Sequence, residues 1–405
     1  MSNFAFGTYR ISDYNPQHIE ALKEAIESGI TMIDTSSNYM DGGAERAIAL
    51  ALRGFSNEVK LKIEIVSKFG YIQGSNLEQH KELPFEEVVE YSLDCYHSIA
   101  KSFIHSQLTE TLKRLEMDSI GCYLIHNPEY YLLDAINRGI EKDERLDEMY
   151  RRLFESFVAL EEEVKSGRIL SYGISSNSFS KPQNSEEFLP YEDLLTLAER
   201  ASQSVGNKTH SFTTVQLPIN LLERDGLKCA SWAKKSGLRV LVNRPFNAQF
   251  ENLSYRLCDY DESSTYYNHL NELLQACDNK SLKPMFNLLE QLDANKHKFG
   301  WIGDYEYFLY SQIIPSFKKF LEVINKEHIE NVLVFIDLFL QEYKRMVLYE
   351  CSKNTRAKFK DLFKECNGSM QECALKFLTQ RDNIDYILIG MRKPSYVNEI
   401  FALKY

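Results

Sequence analysis

Residues 30–46 read ITMIDTSSNYMDGGAER, and the reading of this stretch decides the fold. The apolar run up to Ile33 is that of a buried strand. It ends on a carboxylate, Asp34. A phenol, Tyr39, follows five positions later on the loop, and Gly42-Gly43 lets the chain turn into a helix that opens at Ala44-Glu45-Arg46. Strand, polar loop and helix thus follow one another within seventeen residues.

The same unit recurs in both directions along the chain. Strands are expected at 5–11, 30–34, 62–68, 119–126, 169–175, 212–218, 238–246 and 385–390, with helices at 18–29, 43–54, 105–117, 144–167, 191–203, 226–237, 369–381 and 394–403. Strands joined by helices need crossover connections, which make neighbouring strands parallel. An α/β fold follows, either a doubly wound open sheet or a (β/α)8 TIM barrel. Eight units favour the barrel. The first strand also runs into GTYRISDY (7–14), with no GxGxxG, which weakens a dinucleotide-binding open sheet.

Residues 249–368 interrupt the pattern. They carry helical periodicity at 266–277, 283–293, 307–325 and 329–351 and no evident buried strand. The expected organisation is therefore barrel units one to seven over 1–248, a helical insertion over 249–368 after strand seven, and barrel closure over 369–405. Two more long connections, 69–104 and 127–143, also leave the C-terminal ends of strands, the face on which a barrel builds its active site.

Composition narrows the function. A net charge of −11 over 405 residues argues against a broad nucleic-acid surface. The eight cysteines are scattered with no CxxC, so they are expected to be reduced and not to bind zinc. The N-terminus lacks the pattern of a secretory signal. No run approaches the roughly 18 apolar residues of a membrane span; VLVFIDLFL (332–340) is broken by Asp337. A cytoplasmic protein with no membrane partner is expected.

Four polar residues interrupt apolar runs at comparable places. Asp34 ends strand two and Tyr39 follows it; Lys68 ends strand three in IVSKFGY; His126 ends strand four in CYLIHNPEY. Any one of these is ordinarily structural. Their joint occurrence on consecutive strands of a barrel puts a phenol, an ammonium, a carboxylate and an imidazole on one face. An ammonium beside a phenol eases proton donation, a carboxylate holds the ammonium, and an imidazole can orient a carbonyl. Hydride addition to an aldehyde or ketone requires such a set, with the hydride coming from a cofactor.

On these residues the chain resembles the aldo-keto reductase superfamily, over most of 4–248 and 369–402. The resemblance implies a (β/α)8 barrel that uses NADPH, less often NADH. It implies Tyr39 as general acid/base, Lys68 and Asp34 as the groups that tune it, and His126 as the carbonyl-orienting group. On the cofactor side Gly7, Thr8 and Tyr9 would line the nicotinamide end. Ser175, Ser176 and Asn177 compete for two carboxamide-binding places, and Gln216 is the further contact. Asn243 stands where the family often has a stacking aromatic, with Arg244 beside it as a candidate for a cofactor phosphate. Gly390, Met391, Arg392 and Lys393 lead into the last helix, where two cations at a helix start suit an anionic group such as a 2′-phosphate.

The function implied is an NAD(P)H-dependent oxidoreductase acting on a small carbonyl or sugar substrate. Tyr71, Tyr130, Tyr131, Phe246 and Phe250 are candidates to cover that substrate. Two rival readings are an NADPH-binding redox-sensing subunit with little turnover, and a lyase or isomerase using the same tyrosine. The 249–368 insertion offers a surface for a protein partner or for self-association. This chemistry needs no metal.

Overall fold

The computed structural model describes residues 4–275, 283–322, 329–364 and 366–403. The ends of two expected helices, 276–277 and 323–325, and Cys277 lie outside the described residues.

Eight strands close a parallel barrel: β1 (Phe4–Gly7), β2 (Met32–Asp34), β3 (Glu64–Phe69), β4 (Ile120–His126), β5 (Ile169–Ser175), β6 (Phe212–Pro218), β7 (Arg239–Asn243) and β8 (Tyr386–Ile389), each paired to the next and β8 to β1. Eight helices follow them in turn: α1 (Pro16–Glu27), α2 (Gly43–Leu52), α3 (Lys101–Leu115), α4 (Lys142–Ser166), α5 (Leu194–Val205), α6 (Gly226–Lys235), α7 (Met370–Thr379) and α8 (Pro394–Ala402). The fold is the expected (β/α)8 TIM barrel. The strands form as apolar runs because barrel strands are covered on both faces. Helix boundaries follow local chemistry: α1 starts where the Asn15 side chain accepts from the Gln17 amide and Pro16 takes the first helical position. Gly42 has φ +75°, and an added Cβ there would lie 2.6 Å from Arg114 Cδ, so the turn into α2 needs glycine.

The barrel is filled in layers. Ala5, Met32, Val66, Cys122, Leu124, Leu241 and Leu388 form one buried interior cluster. Below it Arg239 makes two bonds of 2.7 Å to Glu64 across the floor and reaches Thr214 Oγ1. Two residues above the apolar layer comes the row Gly7, Asp34, Lys68, His126 and Asn243, with Gly390 just past β8. Ser175 and Gln216 join that row: His126 pairs in register with Ser175, and Ser175 with Gln216. A period of two along each strand thus carries the apolar core directly into a polar mouth.

The 69–104 connection is more ordered than its sequence suggests. It holds an antiparallel sheet of Tyr71–Ile72, Cys95–His97 and Val89–Ser92, in that order, and a helix over Ser75–Glu82. Strands of two to four residues are too short to show periodicity.

The chain divides into two compact units, Met1–Pro245 with Phe377–Tyr405, and Phe246–Lys376. The second opens on a hairpin, Asn247–Phe250 with Leu253–Arg256, whose turn residues Glu251 and Asn252 both have positive φ. The sequence showed no strand here because few of the hairpin's residues are buried. Helices over Tyr266–Gln275, Lys283–Asn295, Ile302–Phe308, Ile314–Leu321 and Ile329–Lys358 follow. They enclose a core that includes Tyr266, Tyr305, Phe339 and Tyr343. Two of its phenols are satisfied: Tyr343 donates to the Leu292 carbonyl at 2.6 Å and Tyr266 to Asp293 at 2.8 Å. The expectation that all cysteines are reduced is corrected by a disulfide between Cys366 and Cys373. The turn into α7 brings their Cα atoms to 5.8 Å, although the spacing matches no CxxC motif.

Gly173 tests the barrel directly. A Cβ on it would lie 1.8 Å from the Thr214 carbonyl oxygen and 3.0 Å from Leu124 Cδ2. Gly173→Ala must push β5 from β6 and is expected to lower unfolding free energy by about 3 kcal/mol. Chemical denaturation measures it, and an unchanged midpoint would refute the close approach.

Candidate active site

Asp34, Tyr39 and Lys68 are joined at the C-terminal mouth of the barrel. The Asp34 carbonyl is pinned by the Thr8 amide at 3.0 Å and the Thr8 hydroxyl at 2.9 Å, which fixes the end of β2. The Lys68 ammonium, with no exposed side-chain surface, donates to Asp34 Oδ2 at 2.7 Å, to the Thr35 carbonyl at 2.8 Å and to the Tyr39 hydroxyl at 3.3 Å. Asp34 Oδ1 accepts from Gln216 Nε2 at 2.7 Å.

The hydrogen-bond inventory sets the charges. Lys68 uses three N–H donors, and both Asp34 oxygens accept, so the pair is ionised. Burial pushes Lys68 toward losing its proton, but Asp34 and Tyr39 together hold its pKa above the ordinary value. Burial also raises the Asp34 pKa, against the pull of Lys68 and Gln216. The Lys68 direction is the one that agrees with the bonds both groups make. For Tyr39, burial raises the pKa, Lys68 lowers it, and the net direction is up. The expected easing of proton loss by Lys68 is thus present but outweighed, and Tyr39 stands as a protonated phenol.

His126 lies beside this trio, its ring 6.0 Å from that of Tyr39. Burial, then the Lys68 charge, holds its pKa well below the ordinary value, so the ring is neutral. His97 Nε2 donates to the His126 carbonyl at 2.7 Å. Of the aromatic residues expected near a substrate, Tyr71 lies 4.8 Å from the His126 ring and donates to Tyr130 at 3.3 Å. Tyr131 is instead buried against Arg152, and Phe246 and Phe250 belong to the second unit. Two exposed tyrosines add to the wall: Tyr91 packs on Tyr130, and Tyr9 on Tyr39 at 5.2 Å.

Gln216 is the hub of the next group. Its Oε1 accepts from Ser175 at 3.1 Å and from Asn243 at 3.3 Å. Asn243 Oδ1 is buried with no partner among the described residues. Of the three candidates after β5, Ser175 therefore faces Gln216. Ser176 turns to Glu129, donating at 2.8 Å, and Asn177 Nδ2 donates to Asn127 at 3.2 Å. Glu129 also accepts from the amides of Asn177 at 2.8 Å and Ser178 at 3.4 Å, so one buried carboxylate shapes the whole turn. Sequence reasoning missed Glu129; its signal was an acid three residues after His126 in HNPE.

The remaining candidates are more dispersed. Arg244 adopts φ +53° and pairs with Glu223 at 2.8 Å, so its charge is compensated within the protein. Gly7 and Gly390 lie where β1 and β8 adjoin, and Met391 is buried. Arg392 and Lys393 are exposed at the start of α8, where Lys393 is the N-cap residue and supplies no side-chain cap.

The model of the aldo/keto reductase family matches residues 3–404. Among solved structures, glycerol dehydrogenase AKR11B4 from Gluconobacter oxydans is similar over 100% of this chain and 87% of its own, at 16% identity and a TM-score of 0.50. Aldo-keto reductase AKR11C1 from Bacillus halodurans, in its holo form, matches over 98% and 85% at 14% identity and a TM-score of 0.49. An aldo/keto reductase from Klebsiella pneumoniae, in complex with NADP and acetate, matches over 60% and 64% at 22% identity and a TM-score of 0.38.

Glu129 gives a prediction in pH. Burial raises its pKa from 4.5 to about 6 against the bonds from Ser176, Asn177 and Ser178. The folded protein therefore holds this proton more tightly than the unfolded chain. Its stabilising contribution is complete below pH 4.5 and is lost as pH rises through about 6. Glu129→Gln cannot titrate, so relative to the parent it should gain about 2 kcal/mol between pH 4.5 and pH 7. Urea unfolding of both proteins at the two pH values measures this, and parallel curves would contradict it.

Proposed function

The chain belongs to the aldo/keto reductase family of oxidoreductases, and on that premise we propose that it interconverts a small aldehyde or ketone and its alcohol with NADP(H), Tyr39 acting as proton donor and acceptor. The observation that carries this reading is the buried Lys68 ammonium, bonded at once to Asp34 and to the Tyr39 hydroxyl.

In the direction of reduction, protonated Tyr39 gives its proton to the substrate oxygen. Lys68 stabilises the phenolate left behind, and Asp34 keeps Lys68 charged after the proton has gone. His126 stands beside Tyr39 at the same oxygen, where a neutral ring can accept or donate a hydrogen bond. Tyr71 and Tyr130 offer flat apolar faces and hydroxyls to a substrate of modest size.

The residues present suit a nicotinamide cofactor. Asn243 Oδ1, which has no partner among the described residues and lies next to Gln216 and Ser175, is an acceptor for a carboxamide N–H. Gly7 and Gly390 leave bare backbone on the adjoining strands. Arg392 and Lys393 suit a 2′-phosphate, whereas Arg244 is already neutralised by Glu223. A bound nicotinamide supplies or receives the hydride, which no side chain can do.

Two measurements test the reading. In fluorescence titrations, Arg392→Ala/Lys393→Ala should weaken NADPH binding roughly 10- to 100-fold while leaving NADH within about threefold. Failure of the parent to bind either nucleotide sinks the proposal. In a carbonyl screen that follows NADPH absorbance, Tyr39→Phe should lower kcat by roughly 100- to 10,000-fold with NADPH affinity unchanged. Equal turnover by parent and variant would remove Tyr39 from the chemistry.

A further inference from the structure

Ser36 sits in a short chain of hydrogen bonds that ends on His126. Its Oγ lies 3.2 Å from His126 Nδ1, 2.7 Å from Asn38 Oδ1 and 3.4 Å from the Lys68 carbonyl oxygen. Asn38 Nδ2 in turn donates to Gln73 Oε1 at 3.2 Å. Ser36 is 1% exposed and His126 8%, so water does not readily replace these partners.

A hydroxyl has one proton to give. With Asn38 Nδ2 committed to Gln73, Asn38 presents its oxygen to Ser36, and the Ser36 proton goes there. Ser36 then faces His126 with lone pairs only. The neutral ring must carry its proton on Nδ1, leaving Nε2 bare. The opposite arrangement uses the same heavy-atom positions. If the amides of Gln73 and Asn38 both turn over, Asn38 offers an N–H to Ser36. The hydroxyl swings to His126 Nδ1, and the ring proton belongs on Nε2. In that change one proton leaves Nδ1 and one joins Nε2, both by exchange with solvent at the mouth. Ser36 keeps its own hydrogen, and no net charge moves.

We propose that Ser36, backed by Asn38 and Gln73, sets which ring nitrogen of His126 carries the proton, and so whether Nε2 meets a substrate oxygen as donor or as acceptor. Ser36 is a positioning residue: it acts through His126. Only the Nε2–H form can donate to the oxygen on which negative charge grows during carbonyl reduction. The arrangement in the structure is the other one, so the relay must reverse for the reaction. The kinetic consequence rests on the carbonyl–alcohol reading given above; control of the tautomer does not.

The test is nitrogen NMR of the full-length, ligand-free protein with ¹⁵N-labelled histidine. The His126 signals are identified among nine histidines by their loss in His126→Asn. The parent is expected to show Nδ1–H. Gln73→Glu offers only acceptors to Asn38 Nδ2 and should keep that form. Ser36→Ala leaves a buried Nδ1–H without an acceptor, so the proton should move to Nε2, and Ser36→Thr should restore Nδ1–H. One unchanging tautomer in parent, Ser36→Ala and Gln73→Glu overturns the relay. With cofactor and carbonyl present, Gln73→Glu should lower kcat roughly 100-fold, the scale for losing one donor to a developing oxyanion, with NADPH affinity unchanged. A tautomer that moves as expected with no loss of kcat upholds the relay and removes His126 from the proposed reaction. A parent that binds no NADPH defeats that reaction alone, since the ligand-free spectra still decide the relay.

Discussion

The ion pair between Lys68 and Asp34 is the constraint on which the rest of the mouth depends. Both charges are withdrawn from water, and the penalty for that is several kcal/mol per ion unless every donor and acceptor is satisfied. The surroundings supply that satisfaction. Lys68 has Asp34, Thr35 and Tyr39; Asp34 has Lys68 and Gln216. Gln216 is then fixed by Ser175 and Asn243, so a single pair orders side chains from five strands and one loop. Removing either partner would leave a lone buried charge, a far larger loss than the net worth of the pair. The layers beneath are arranged accordingly. The apolar cluster isolates the pair from the floor, and the floor is closed by a second charge pair, Arg239 with Glu64.

Much of this was legible in the sequence, and for one reason. A barrel strand is covered on both faces, so it reads as an apolar run, and a polar residue at its end stands out. Asp34, Lys68 and His126 were found in this way, as were the eight strands themselves; Gln216 was singled out only through the family resemblance. What the sequence hid has no run to interrupt. Ser36, Asn38 and Gln73 lie on loops whose polar residues look alike until a partner is placed beside them. Glu129 acts on Ser176, Asn177 and Ser178 from almost fifty positions away, and Arg239 meets Glu64 across 175. That Ser175 turns to Gln216 while Ser176 and the Asn177 amide turn to Glu129 is likewise set by a partner distant in sequence. The small sheet over 71–97 and the hairpin over 247–256 are too short to carry a period. Cys366 and Cys373 are brought together only by the turn into α7.

The electrostatics of Tyr39 show why residue types alone give an incomplete account. An ammonium beside a phenol suggests a lowered pKa, and Lys68 does exert that pull. Burial opposes it, Asp34 adds its own negative charge, and the balance keeps the phenol protonated. A phenol held in this way would part with its proton only to a stronger acceptor. The same burial keeps His126 and His97 neutral, so Lys68 is the fixed cation among these groups.

The row of side chains around the mouth is not evenly filled. Six of its positions carry Asp34, Lys68, His126, Ser175, Gln216 and Asn243; the other two are Gly7 and Gly390, where β1 adjoins β8. Eight repeated strand–helix units would otherwise make a rim with no front and no back. Two adjacent glycines break that rotational equivalence. They leave main chain alone on that side of the row, so the ring of side chains has one marked azimuth.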